Sequence, residues 1–136
     1  MASSPSARLE PEDTVGVMIV DDQPPFRRAA RAVIGATAGF VPLGDAASGY
    51  EALKRADQLE PDLVLMDVHM PGMDGIEAAR QLTEAHPGCV IVLVSLDELD
   101  DPATTVASCG AADYLRKQDL KPDVLRGLWA AHGGRP

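Results

Sequence analysis

The chain has 136 residues, 46% hydrophobic and 24% charged, proportions that suit one globular domain and exclude wholesale disorder. A net charge of −9 repels nucleic-acid backbones and anionic membrane surfaces, so no direct nucleic-acid binding and no membrane association are expected. Only 4% of the residues are aromatic, which leaves an aliphatic core.

Residues 1–14 are rich in Ser, Pro, Glu and Asp without periodicity, and a flexible lead-in is expected there. They lack the apolar stretch of a signal peptide. The run Val15–Val20 follows, continuously apolar and β-branched, as in a strand covered on both faces. Phe26, Ala30, Val33 and Ile34 then fall at helical spacing, and Pro25 suits a first turn. A weaker strand fits Phe40–Ala46. Ser48 and Glu51 form a capping box for a helix running to about Glu60. A second buried run is Leu63–Met66, and Ile76, Ala79 and Leu82 mark a third helix. A third run is Val90–Val94. The segment from Pro102 to Gly110 reads as a short, weakly apolar helix on Ala103, Val106 and Ala107. A second weak strand fits Asp113–Leu115, and Val124, Leu125, Leu128 and Trp129 form a last helical stripe entered through Pro122. Residues 133–136 look like the start of a linker.

The longest uncharged stretch, Ala32–Gly44, is interrupted by Gly35, Gly39 and Pro42 and falls short of the roughly 20 apolar residues a membrane span needs. Cys89 and Cys109 are the only cysteines and join no ligand cluster. Both are expected as small buried hydrophobes in a reducing compartment, which predicts a cytoplasmic protein.

Five successive strand–helix units predict an α/β, doubly wound domain with a five-stranded parallel sheet over residues 15–132. Chemistry in such sheets gathers at the carboxyl ends of the strands. Asp21 and Asp22 follow the first strand, Asp67 ends the third, Ser95 the fourth, and Lys117 follows the fifth. Each has an ordinary reading as a turn or cap residue. Together they converge on one sheet edge, where three carboxylates repel one another unless compensated. A hard divalent cation such as Mg²⁺ supplies that compensation, the lysine adds a point charge and the serine a donor. This set describes a phosphoryl site with a carboxylate as nucleophile.

Val-Asp-Asp at 20–22, Met-Asp-Val-His-Met-Pro-Gly-Met-Asp-Gly at 66–75, Ser95 after its apolar strand and Ala-Asp-Tyr-Leu-Arg-Lys at 112–117 stand in a telling order. From Val15 to Ala131 the chain resembles the receiver domain of bacterial two-component response regulators, a flavodoxin-like (β/α)5 fold. The Asp-Asp-Gln start, the Met-Pro-Gly-Met turn and the lack of proline after Lys117 look most like the subgroup that carries LuxR-type output domains. The resemblance implies that Asp67 accepts a phosphoryl group from a sensor histidine kinase. It implies that Asp22 and Asp67 ligate Mg²⁺ with the backbone carbonyl of His69, and that Asp21 acts mainly through water. Lys117 would pair with Asp67 and later with the phosphoryl oxygens, while Ser95 would bond the arriving group and Tyr114 would act as the switch aromatic.

The implied readout surface is the fourth helix, fifth strand and fifth helix, offered to a downstream protein or output domain. A homodimer would form through that surface or through the first and fifth helices. His86 and His132 read as helix-end residues without a site role. Leu96 stands where the family usually carries a small residue; with the His69 side chain it is expected to modulate access. The acidic segment Asp97–Asp101 reads as a solvated turn. A pseudo-receiver that binds partners without phosphorylation is the alternative function, with Leu96 its support. An aspartyl-nucleophile phosphatase ranks third, because His69 occupies the position of its second acid. No turnover of a separate substrate is therefore expected. The chain reads either as a stand-alone receiver or as the receiver half of a longer DNA-binding regulator.

Overall fold

The computed structural model describes residues 14–133, so the expectations for residues 1–13 and 134–136 lie outside the described residues. The apolar runs become strands β1 (Val15–Val20), β3 (Leu63–Asp67) and β4 (Val90–Ser95), every residue of which is buried. The weaker runs become β2 (Phe40–Ala46) and β5 (Asp113–Arg116). Between them lie α1 (Pro24–Gly35), α2 (Gly49–Leu59), α3 (Gly75–Ala85), α4 (Pro102–Cys109) and α5 (Pro122–His132). All strand pairs are parallel, in the order β2-β1-β3-β4-β5, the flavodoxin-like arrangement.

Strand alternation explains why runs without polar gaps are needed. Val17 and Ile19 of β1 join Leu63, Leu65, Val92 and Val94 on the face packed by Ala30 and Ile34 of α1 and Leu125 of α5. Met18 and Val20 join Val64, Met66, Ile91 and Leu93 on the other face, against α2, α3 and Cys109 of α4. Two separate cores therefore flank one sheet. The weak patterning of β2 has a physical cause: it is an edge strand, mostly half-buried, where Pro42 costs no ladder bond to a further strand. A bulge lies beside it, since Val17 faces Pro42 and Met18 faces Gly44, skipping Leu43.

The helix starts follow the polar signals. Ser48 Oγ accepts the Glu51 N–H at 3.0 Å, but the returning carboxylate accepts from Ala47 N at 2.6 Å, one residue before the cap. Asp74 and Asp101 cap α3 and α4 through the N–H groups of Glu77 and Thr104. The α2 helix stops at Leu59, and Glu60 closes it in the left-handed region at φ 50°. Only Cys109 of α4 is fully buried, which fits its weak sequence pattern.

Cys89 departs from expectation. It is only half-buried, in the turn before β4, with a thiol pushed up to about 12 chiefly by desolvation and then by Asp62. His86 closes α3 and contacts Asp57 Oδ1 at 2.8 Å, while His132 at the end of α5 contacts Asp113 Oδ2 at 2.9 Å. No helix among the described residues is long and apolar enough to cross a membrane.

Candidate functional site

Register brings the acids together. Val20 faces Met66, so Asp21, the next residue of one strand, lies beside Asp67, the next residue of the other. This is the switch point of the sheet, where β1 is flanked by β2 on one side and β3 on the other. One oxygen each from Asp21, Asp22 and Asp67 lies within 4.8 Å of the others. Asp21 is fully buried and Asp67 is 3% exposed, whereas Asp22 is half-buried. Three carboxylates this close present a hard, anionic oxygen set of the kind Mg²⁺ takes, with Asp22 open toward solvent and its waters.

Lys117 reaches the same edge from the turn after β5. Its ammonium lies 2.5 Å from Asp21 Oδ2 and 3.6 Å from Asp67 Oδ1, on a side chain only 8% exposed. The lysine therefore pairs with Asp67, as the resemblance implied, and lies closer still to Asp21. The contact is an ion pair without hydrogen-bond geometry, since Asp21 Oδ2 has no hydrogen-bond partner. Asp21 Oδ1 accepts the Gln23 N–H at 2.8 Å, and its backbone carbonyl accepts Arg27 Nη1 at 2.7 Å. The ammonium also stands 4.8 Å from the centre of the Phe26 ring.

Asp67 Oδ1 accepts the His69 N–H at 3.3 Å. Burial raises its carboxyl from 3.8 to about 6, Asp21 and more weakly Asp22 add to the rise, and Lys117 and the His69 N–H oppose it. The backbone behind it is closely packed: a Cβ on Gly75, at the start of α3, would lie 1.9 Å from the Asp67 carbonyl oxygen.

A cavity of about 390 Å³ opens over Asp67, lined also by Asp22, Gln23, His69, Leu96, Asp97 and Lys117. Leu96 is 64% exposed, and space remains beside it. Its side chain stands at the mouth. Ser95 is fully buried and does not line the cavity; its Oγ accepts the Asp97 N–H at 3.2 Å. Tyr114, half-buried on β5, donates its hydroxyl to the Asp97 carbonyl at 2.7 Å. Both predicted switch residues thus hold Asp97, one at each of its backbone groups.

Sequence reasoning did not single out Gln23, Phe26, Arg27 or Asp97. Phe26 was legible only as one position of an apolar stripe, and Asp97 as one of several acids in a turn. The spacing of Asp22 and Gln23, directly before a helix start, was the one local signal for the cavity-lining glutamine.

The family model for the response regulator receiver domain matches residues 17–127. Response regulator GacA of Pseudomonas viridiflava is 41% identical over 121 residues, covering 89% of this chain and 56% of that protein. The nitrate/nitrite response regulator protein NarL of Escherichia coli K12 is 32% identical over 124 residues, covering 90% of this chain and 57% of that protein. A two-component response regulator of the LuxR family from Aurantimonas sp. SI85-9A1 superposes with a TM-score of 0.80 at 29% identity, covering 90% of this chain and 87% of that one. The chain spans little more than half the length of the curated relatives it matches. With its sheet order, its acid-lined strand ends and these likenesses, the chain belongs to the response regulator receiver domain family.

Proposed function

We propose that this receiver is a phosphorylation-dependent switch in which Asp67 takes a phosphoryl group from the phosphohistidine of a sensor histidine kinase. The observation that carries the reading is Asp67 itself: a carboxylate in the wall of an open cavity, 3.6 Å from an ammonium and beside two further acids. An Asp67 oxygen attacks phosphorus, the phosphorus–nitrogen bond breaks, and its electron pair returns to the imidazole ring. The nucleophile must be ionised. With its carboxyl near 6 it is so in most molecules at neutral pH.

Mg²⁺ would be held by Asp22 and Asp67 with the His69 backbone carbonyl, Asp21 reaching it through water. When bound, it supplies positive charge that offsets the acids and the phosphoryl oxygens. Lys117 offers further positive charge from the side of Asp21. Ser95 releases the Asp97 N–H to bond a phosphoryl oxygen, and Tyr114, which holds the carbonyl of that same residue, follows the loop. Phosphorylation adds about −1.5 to −2 charge and selects the arrangement in which both are drawn in.

The readout surface is α4, β5 and α5, offered to a downstream protein, an output domain or a second copy; α1 and α5 form a second dimer surface. Tyr114 and His132 both line a cavity of about 510 Å³ there, so the tyrosine links the loop to this surface. The open mouth beside Leu96 supports a phosphorylation-competent site over a pseudo-receiver. The proposed setting is the cytoplasm.

The test is intact-protein mass spectrometry after incubation with acetyl phosphate and Mg²⁺. One phosphoryl group is expected on the wild type, none on Asp67→Ala, and none after chelation. Failure to label, together with failure to bind beryllofluoride, would give first place to the phosphorylation-independent interaction module.

A further inference from the structure

The carboxylate neighbours of Lys117 balance its charge but do not by themselves fix where its ammonium stands. An ammonium on a side chain only 8% exposed needs compensation, and a role at the cavity requires that its proton donors stay available. It has three N–H donors. Asp21 Oδ2 at 2.5 Å pairs with its charge without hydrogen-bond geometry, and Asp67 Oδ1 lies 3.6 Å away. A third carboxylate would pull the charge away from the cavity. An aliphatic surface would not compensate it.

The structure offers an aromatic face instead. The Phe26 ring centre is 4.8 Å from Lys117 Nζ, within the range in which the negative face of a ring attracts a cation. A ring takes no proton donor in return. The ring is also held in place from below: Phe26 is half-buried and packs against the core formed by α1, α5 and one sheet face. The first turn of α1 is tied to the same aspartate that meets the lysine, through Gln23 N–H to Asp21 Oδ1 and Arg27 Nη1 to the Asp21 carbonyl. Asp21, Phe26 and Lys117 thus form one unit anchored on α1.

We infer that Phe26 is a positioning residue: its ring seats the Lys117 ammonium at the carboxylate edge by a cation–π contact, leaving N–H donors free for Asp67 and for an incoming phosphoryl oxygen. The consequence for reactivity rests on the proposed role of Asp67 as phosphoacceptor. With acetyl phosphate, an Asp67 oxygen bonds to phosphorus, the bond from phosphorus to the acetate oxygen breaks, and acetate leaves with that electron pair. The seated ammonium meets the negative charge gathered in that step.

The test replaces Phe26 in the full chain by mono-, di- and trifluorinated phenylalanine, which keep the shape of the ring while weakening its negative face stepwise. The rate of labelling at saturating acetyl phosphate and Mg²⁺ is expected to fall in steps, by roughly three- to tenfold at the trifluorinated ring, with Phe26→Leu at least as slow. A flat series across the fluorinated proteins, even if Phe26→Leu is slow, would show simple packing and overturn the proposal. If the wild type takes no phosphoryl group, the phosphoacceptor reading fails separately. The seat is then decided by the Lys117 ε-methylene proton resonances: an upfield ring-current displacement that vanishes in Phe26→Leu upholds it, and no displacement in the wild type overturns it.

Discussion

The two walls of the cavity are built in different ways. On one side Asp21 and Asp67 extend two central strands whose every residue is buried, and Asp67 rests its backbone against Gly75. On the other, Leu96, Asp97 and Glu98 are exposed, and side chains from the β5 end hold them. Tyr114 holds the Asp97 carbonyl, Gln118 Nε2 donates to the Leu96 carbonyl at 3.4 Å, and Arg116 stands 3.7 Å from Glu98. The acids that must be placed accurately belong to the stable wall. The part proposed to move is tied by a few polar contacts at the surface, the low-stability end of a fold from which moving elements come.

The strongest attack on the stable wall is Gly75→Ala. A Cβ that would sit 1.9 Å from the Asp67 carbonyl forces backbone to move, and a loss of about 3 kcal/mol or more is expected from urea unfolding. An unchanged midpoint would mean that this wall is softer than its packing implies.

The next effect is electrostatic and belongs to the same wall. Without a divalent cation, the folded protein holds the Asp67 proton more tightly than the unfolded chain, since its carboxyl moves from 3.8 to about 6. Its contribution to stability is therefore fully present below the unfolded value and is lost as pH rises through about 6. Unfolding curves of the wild type against Asp67→Asn should diverge over that window by on the order of 3 kcal/mol, the asparagine protein keeping its stability as pH rises. Parallel curves would show that Asp67 titrates normally.

The smallest effect tests the exposed wall. Tyr114→Phe removes one partly exposed hydrogen bond, to the Asp97 carbonyl, and should cost about 1 kcal/mol or less of global stability. Amide hydrogen exchange over residues 96–101 should nevertheless speed several-fold, with β1 and β3 unchanged. Equal acceleration in the strands would erase the distinction between the walls.

The stable wall was also the more legible in the sequence. Strands buried on both faces must be continuously apolar, so β1, β3 and β4 and the polar residues that end them could be found by inspection. Asp21, Asp22, Asp67, Ser95 and Lys117 all lie at strand ends on one edge. Their pairing was less visible: Lys117 lies closer to Asp21 than to Asp67 and beside a ring from α1, and no spacing records either. The exposed wall was hardly legible. Asp97 looks like any acid in a turn, because its role lies in two backbone groups that Ser95 and Tyr114 hold from different strands. Cys89 misled for a related reason: apolar character marks a residue as able to be buried, and the turn before β4 leaves it half outside.

The two cores have a consequence for how such a protein can change over time. Phe26, which seats the lysine, belongs to the core on the α1 and α5 side, whereas Tyr114, Val106 and Leu99 pack into the core on the other side of the sheet. Residues that tune the reactive edge and residues that shape the α4 face thus share few neighbours. Substitutions on opposite sides should combine almost additively. A lineage could then exchange one downstream partner for another by drift on the α4 side while the α1-side residues that support the proposed phosphoryl site are inherited unchanged.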